Sequence, residues 1–209
     1  YSSQLLSNAT LKMVGDTTLI VDANKAIDRI YGDYDLTIEG DKSLSITTKN
    51  DPAISANNIL INAPVNAHCE NARVIYADDT LTISGELTAW GWIGVCAEHD
   101  IIIRNADVDA FGYARSLYSA NGAISITDSV FSGRSTNVEG DVINADQNVT
   151  IHNSSVTVYN NFGFDGIYSR YGNITISGDS MIDSYGKHGI YAKNGSIKIE
   201  QPLKIFVPD

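Results

Sequence analysis

Positive charge is scarce in this 209-residue chain: 14 Lys and Arg stand against 25 Asp and Glu, for a formal net charge of −11. No cationic excess exists to neutralise phosphates, so a nucleic-acid backbone is excluded as the expected partner. Proline is rare as well, at four residues, and there is no long polar tract. Without a linker to divide it, a chain of this length is expected to form one domain. The two cysteines, Cys69 and Cys96, are too few for a disulfide framework and lack metal-ligand spacing. They form either one Cys69–Cys96 disulfide or two buried or semi-exposed thiols. No apolar run approaches the length of a membrane span. The chain opens on Tyr1 rather than Met, as it would after loss of an export signal or anchor, and an extracellular or cell-surface location is expected.

What the chain does contain is a repeat. An apolar–x–apolar triplet recurs at Leu36-Thr37-Ile38, Ile59-Leu60-Ile61, Leu81-Thr82-Ile83, Ile101-Ile102-Ile103 and Ile124-Ser125-Ile126. It continues at Val149-Thr150-Ile151, Ile174-Thr175-Ile176 and Ile197-Lys198-Ile199, in steps of 23, 22, 20, 23, 25, 25 and 23 residues. A period of this size is a fold-level signature. Leu19-Ile20-Val21 reads as the start of an irregular first turn.

Two further short strands follow each triplet. The second includes Val65/Ala67, Leu87/Ala89, Val108/Ala110, Val130/Ser132, Val156/Val158 and Leu203/Ile205. The third includes Ile75-Tyr76-Ala77, Val95-Cys96-Ala97, Leu117-Tyr118-Ser119, Val142-Ile143-Asn144, Ile167-Tyr168-Ser169 and Ile190-Tyr191-Ala192. Period-two alternation turns the first and third residues inward and the middle one outward. The β-branched bias and the lack of an i, i+3, i+4 pattern exclude a helical repeat. Gly85, Asn105, Asp128, Asn153 and Gly178 recur between the first and second strands, and these residue types tolerate the left-handed backbone of a sharp bend. The connection from second to third strand is longer and variable. The expected fold is all-β: a right-handed three-sheet parallel β-helix of about nine turns in a single domain, 1–209. Residues 1–31 are expected to supply an irregular first turn or N-terminal cap, 36–205 the regular repeats, and Phe206-Val207-Pro208-Asp209 a weak end cap.

With strands, tight turn and variable connection placed, residues 36–205 resemble the pectate-lyase-like superfamily of β-helices. In that family the short left-handed turn separates the second and third sheets, and long loops lead into the first. The third strand of this chain therefore corresponds to the family's first sheet, where active sites usually lie. Gly166-Ile167-Tyr168-Ser169 and Gly189-Ile190-Tyr191-Ala192, each followed by a Gly-containing turn and Ile-x-Ile, resemble bacterial cell-surface carbohydrate-binding β-helix proteins. The resemblance implies fold more than function, because β-solenoids host lyases, hydrolases, adhesins and passive spacers.

The outward column of the third strand reads Tyr31, Ser55, Tyr76, Cys96, Tyr118, Ile143, Tyr168 and Tyr191, one residue per turn of about 4.8 Å. The neighbouring long loops add Trp90, Trp92, Phe111, Tyr113, Tyr159, Phe162, Phe164 and Tyr185. Aromatic faces with polar tips suit sugar rings, but loops folded over the sheet would pack the same residues as a second core. The ligand-binding candidates are Tyr76, Tyr118, Tyr168, Tyr191, Trp90, Trp92, Tyr113, Phe164 and Arg115.

Charged residues lie beside them: Arg115, Arg134, Glu139, Asp141, Asp165, Lys187 and His188. Aligning the turns at Val142, Ile167 and Ile190 places Asp165 and His188 at one offset, with Asp141 diagonal to Asp165. Asp141, Asp165 and His188 are the catalytic candidates, and Asp141 and Asp165 the candidates for a Ca²⁺ ion. Phe164-Asp165-Gly166-Ile167 and Lys187-His188-Gly189-Ile190 resemble polygalacturonase motifs. The paired aspartates of that family's intervening turn are absent, as is the dense aspartate cluster, opposed by Arg or Lys, of calcium-dependent pectate lyases. Those departures put catalysis behind binding. His68 and His99 are expected at the surface, His152 beside the tight turn, and Asp107, Asp109, Asp128 and Asp179 in solvated slots.

The leading expectation is a secreted or cell-surface, non-catalytic polysaccharide-binding β-helix without a cofactor. The alternatives are a polysaccharide lyase or glycoside hydrolase acting on acidic, pectin-like glycans, and a structural or adhesive segment of a larger surface protein.

Overall fold

A computed structural model describes residues 3–5, 8–20, 30–32, 34–136 and 140–200, and every regular element among them is a strand. The apolar triplets form a nine-stranded, wholly parallel sheet: Ala9–Met13, Leu36–Gly40, Ile59–Asn62, Leu81–Ile83, Ile101–Arg104, Ile124–Thr127, Val149–His152, Ile174–Ser177 and Ile197–Ile199. Nine strands in one ladder are joined by about eight full turns of chain, so the molecule is a single-domain parallel β-solenoid of about eight turns. The ladder begins earlier than the triplets suggest, since Ala9–Met13 pairs with Leu36–Gly40. Thr17–Ile20 is a second-ladder strand beside Leu44–Thr48, and Ser3–Leu5 a third-ladder strand beside Ile30–Gly32. Residues 21–29 of the expected cap, Leu203/Ile205 and the end cap at 206–209 lie outside the described residues.

Why these residues stack is plain from what they bury. Leu36, Ile59, Leu81, Ile101, Ile124, Val149 and Ile174 occupy one interior column, and Ile38, Ile61, Ile83, Ile103, Ile126, Ile151 and Ile176 the next, all almost completely buried. Each is worth roughly 1.5–3 kcal/mol on burial. A second device, invisible to hydrophobic periodicity, runs along the entry to this sheet. Side-chain oxygens of Asn8, Asp35, Asn58, Asp100, Asn148 and Asn173 accept the backbone N–H of the corresponding residue one turn on, at 2.8–3.2 Å.

The bend into the second ladder takes the left-handed backbone at four of the five expected positions, and Gly85 is the exception, without a positive φ. Asn105, Asp128 and Asn153 have φ of 49°, 49° and 46°, and Gly178 has 64°. The corner is sealed by serines: the N–H groups of Ala106, Ser129 and Ser154 donate to the hydroxyls of Ser129, Ser154 and Ser180. Each hydroxyl in turn donates to a carbonyl, of Thr127, His152 and Ser177. The donors freed by the turn are thereby satisfied inside the wall.

The second and third ladders are separate at both ends of the solenoid and fuse in its middle. There Glu86–Ala97 and Asp107–Ser119 each run as one strand through both ladders. Trp90, Trp92, Phe111 and Tyr113, expected on loops, are therefore on continuous strands. A bulge places Tyr113 and Ala114 opposite Trp92 alone, and the strand bends at this point.

Two register assignments from the sequence are corrected. In Val130–Ser135 the inward residues are Phe131, Gly133 and Ser135; Val130 is 50% exposed and Phe131 1%. Alternation alone cannot choose between adjacent apolar residues. Packing can, because Phe131 fills the space left at Gly133, where a Cβ would stand 2.7 Å from its ring. In the third ladder Ile143 points inward and Asn144 outward, pairing with Tyr118 and Tyr168. The slip arises because Asp146-Gln147-Asn148 is one residue shorter than the turns 120–123 and 170–173.

Phe131→Ala is expected to cost about 3–5 kcal/mol in urea unfolding, whereas Val130→Ala stays within about 0.5 kcal/mol. Equal losses at the two positions would refute this register.

Candidate functional site

The outward column of the third ladder is continuous from Ser55: Ser55, Tyr76, Cys96, Tyr118, Asn144, Tyr168 and Tyr191 pair one with the next, and the backbone of Tyr31 pairs with Ser55. Its two halves differ. Tyr76 and Tyr118 pack on a small cluster of Ile93, Cys96 and Ala114, outside the main core. Arg73 and Arg115 lie over their rings at 4.4 and 4.7 Å. The Tyr76 hydroxyl donates to Glu98 at 2.9 Å; burial first, then this bond, pushes its pKa upward. At these two residues the packing alternative holds. Tyr168 and Tyr191, 5.9 Å apart by ring centroid, have no such cluster around them among the described residues, and Tyr191 is exposed.

Beside this open half, Asp141, Asp165 and His188 each stand two residues before the paired Ile143, Ile167 and Ile190. The corrected register thus brings all three into line, rather than leaving Asp141 diagonal. The Asp165 N–H donates to Asp141 Oδ1 at 2.8 Å, and the His188 N–H donates to Asp165 Oδ1 at 3.1 Å. His188 Nδ1 lies 2.7 Å from the same oxygen. Asn144 Nδ2 donates to Asp141 Oδ2 at 2.8 Å. Burial raises the Asp141 carboxyl above its ordinary 3.8, against the Asp165 N–H and with help from the Asp165 charge. Burial also raises Tyr168, with Asp141 the next cause.

A cleft of about 320 Å³ opens at the Asp141 end of this line, which Asp165 and His188 do not reach; it is lined by Arg115, Tyr118, Asp141, Asn144, Tyr168 and, on its far side, Asp146, Arg170 and Lys193. That far wall was missed in the sequence. It repeats two residues after each column position, and Arg170 lies 3.7 Å from Asp146. The cleft therefore offers stacking rings, amide and guanidinium donors, and a carboxyl that holds its proton more tightly than usual.

The other ligand candidates gather elsewhere. Trp90, Trp92, Phe111 and Tyr113 surround a second cleft of about 360 Å³ with Glu70, Asn71 and Gly91. Trp90 stacks on Phe111 at 5.5 Å and Trp92 on Tyr113 at 4.9 Å. Phe164 is half-buried and lines neither cleft. Tyr159 and Tyr185 stack on each other at 4.7 Å, with Arg134 over Tyr159. Lys187 is exposed, and Glu139 lies outside the described residues.

Several expectations change. His68 is not a surface group: it is half-buried, its ring 4.4 Å from Trp90. His99 is exposed and 3.0 Å from Asp79, while His152 bonds Ser177 across the tight turn. Cys69 and Cys96 are free, the first facing the core and the second outward, where burial pushes its thiol up to about 12. Among the described residues no group of three or more His, Cys, Asp or Glu side chains converges as a metal site. Three of the four carboxylate oxygens of the Ca²⁺ candidates, both of Asp141 and Oδ1 of Asp165, already accept N–H donors. Another concavity, about 700 Å³, runs past the tight turns, where Asp107, Asp128 and Asp179 are exposed as expected. Asp109 is exposed too.

Fold and site together define a single-domain parallel β-solenoid with two clefts lined by aromatic and polar side chains. Comparisons with protein-family models, curated proteins and solved structures found no match to this chain.

The raised Asp141 carboxyl makes a signed prediction. The folded state binds this proton more tightly than the unfolded one, so its contribution to stability declines as pH rises from 3.8 through the raised value. Asp141→Asn abolishes that decline. Urea unfolding of both proteins across this interval should show wild-type stability falling relative to the variant, and a flat difference would contradict the assignment.

Proposed function

We propose that the protein is an extracellular or cell-surface polysaccharide-binding solenoid that performs no chemistry on its ligand. The observation that carries this is the open half of the tyrosine column. Tyr168 and Tyr191 stay partly exposed, side by side, and Tyr168 lines a cleft together with Arg115, Asn144, Arg170 and Lys193. Sugar rings present C–H faces to aromatic surfaces and hydroxyls to such polar rims. A column of equivalent positions along the axis suits a repeating polymer better than a single small molecule. The resemblance of the repeats to the pectate-lyase-like superfamily points to the same sheet.

Affinity electrophoresis against a polysaccharide panel, including polygalacturonate and cellulose, with and without calcium, tests this. At least one polymer should retard the protein, and Tyr168→Ala/Tyr191→Ala should weaken that retardation about tenfold or more. Retardation by no polymer would favour the structural or adhesive segment instead, with the tyrosines reduced to packing.

One observation favours a second reading, a lyase or hydrolase of acidic glycans: Asp141, Asp165 and His188 form one hydrogen-bonded line whose first member, Asp141, lines the cleft. A carboxyl with an elevated pKa is the feature a general acid needs. The same bonds also serve a bland purpose, since each carboxylate accepts a backbone N–H from the next turn, as the Asn and Asp side chains of the first sheet do. Incubation with polygalacturonate, followed by reducing ends and ultraviolet absorbance of unsaturated products, is expected to yield none. Product formation that disappears in Asp165→Asn would replace the binding reading with the enzymatic one.

A further inference from the structure

We propose that the trough between Trp90/Phe111 and Trp92/Tyr113 is a separate binding site for a neutral pyranose ring held between two aromatic walls. This rests on the polysaccharide-binding reading but concerns a different surface from the tyrosine column.

The geometry follows from strand chemistry. Side chains two residues apart leave the same face of a strand, about 7 Å apart along the backbone. That distance is about two van der Waals contacts of 3.5–4.0 Å, which leaves room for one ring to lodge between the two columns. Each wall is two rings deep, Trp90 on Phe111 at 5.5 Å and Trp92 on Tyr113 at 4.9 Å. Between the walls lies Gly91, paired in register with Gly112, so the backbone at Gly91 forms the floor. Neither position admits a Cβ: at Gly91 it would stand 2.5 Å from the Cys69 carbonyl and from Val74, and at Gly112 it would overlap Arg115. A bulge lies beside them, where the strands bend.

Exposure and charge point to the occupant. Trp90, Trp92 and Tyr113 are 49%, 38% and 44% exposed, a concentration of wet aromatic surface around one concavity. Isolated exposed apolar residues are ordinary, but a contiguous concave group of them marks a site that is covered in use. Glu70 and Asn71 are the polar lining, and among the described residues no cation lines the trough. A polyanion meets Glu70 there, its charge partly balanced by Lys49 at 3.9 Å, within a chain of net charge −11. A neutral sugar matches on both counts, with C–H faces against the walls and its hydroxyl edge toward Glu70 and Asn71. A volume of about 360 Å³ is near the lower end of small-molecule sites, enough for one or two sugar rings.

The chain has two tryptophans, and both are in this trough, so indole emission reports on it alone. The intact chain is titrated with neutral gluco-, manno- and xylo-oligosaccharides and with oligogalacturonate, following emission and acrylamide quenching. At least one neutral oligosaccharide should produce a saturable change and protect the indoles from quencher. Trp92→Ala should weaken that binding about tenfold or more, while Val130→Ala, an exposed position lining neither aromatic cleft, leaves it unchanged; thermal melts confirm that both variants are folded. No response to any neutral oligosaccharide, or a response to oligogalacturonate alone, would overturn the proposal. If a polymer retards the protein in electrophoresis while indole emission stays unchanged, the trough is not a sugar site but the polysaccharide-binding reading stands. A response to an added peptide or protein and to no sugar would reassign the trough to a protein partner.

Discussion

Everything in this molecule depends on the parallel backbone ladder that repeats each turn on the one before it. A parallel strand pair brings each residue alongside its equivalent about 4.8 Å away, so every turn must offer an interior side chain that fits the same space. The columns of Ile, Leu and Val satisfy that requirement, and the Asn, Asp and Ser side chains at the corners take up the N–H groups that the bends release. Aliphatic stacking drives the turns together, and corner hydrogen bonds hold them in register.

An exact repeat inside imposes columns outside. Once Ile143, Ile167 and Ile190 pair, the residues two before them have no choice but to line up, and Asp141, Asp165 and His188 become neighbours. Arg115, two before Leu117, extends the line. A buried carboxyl thus sits between a guanidinium and a second carboxylate, and the raised affinity of Asp141 for its proton follows from that burial. The far wall of the same cleft, Asp146, Arg170 and Lys193, arises in the same way from residues two after the column.

The aromatic residues divide by what lies beneath them. Where Ile93, Cys96 and Ala114 form a small cluster, Tyr76 and Tyr118 settle on it and arginines cover their rings. Away from that cluster, Tyr168 and Tyr191 remain available. The fused strands in the middle create a third situation. With strand in place of a covering loop, Trp90, Trp92 and Tyr113 stay in water. Packing and binding were alternatives for these residues as a class, and the supporting layer separates them one by one.

The period of about 23 residues, the inward aliphatic positions and the left-handed corners at Asn105, Asp128, Asn153 and Gly178 were all legible in the sequence. Each is a local property, set by side-chain alternation or by which residues tolerate positive φ. The solenoid followed from them, as did the tyrosine column apart from one slot. Tertiary structure decided what local pattern leaves degenerate. Val130 and Phe131 are equally apolar, and only the space at Gly133 selects the phenylalanine. A turn one residue shorter than its neighbours moved Asn144 into the column and Asp141 into line, because register is set by the strand it pairs with and not by distance from the previous motif. The merging of two ladders at Glu86–Ala97 and Asp107–Ser119, which turned supposed loop aromatics into the walls of a trough, depends on backbone pairing across turns. Hydrophobic periodicity within one turn carries no record of it.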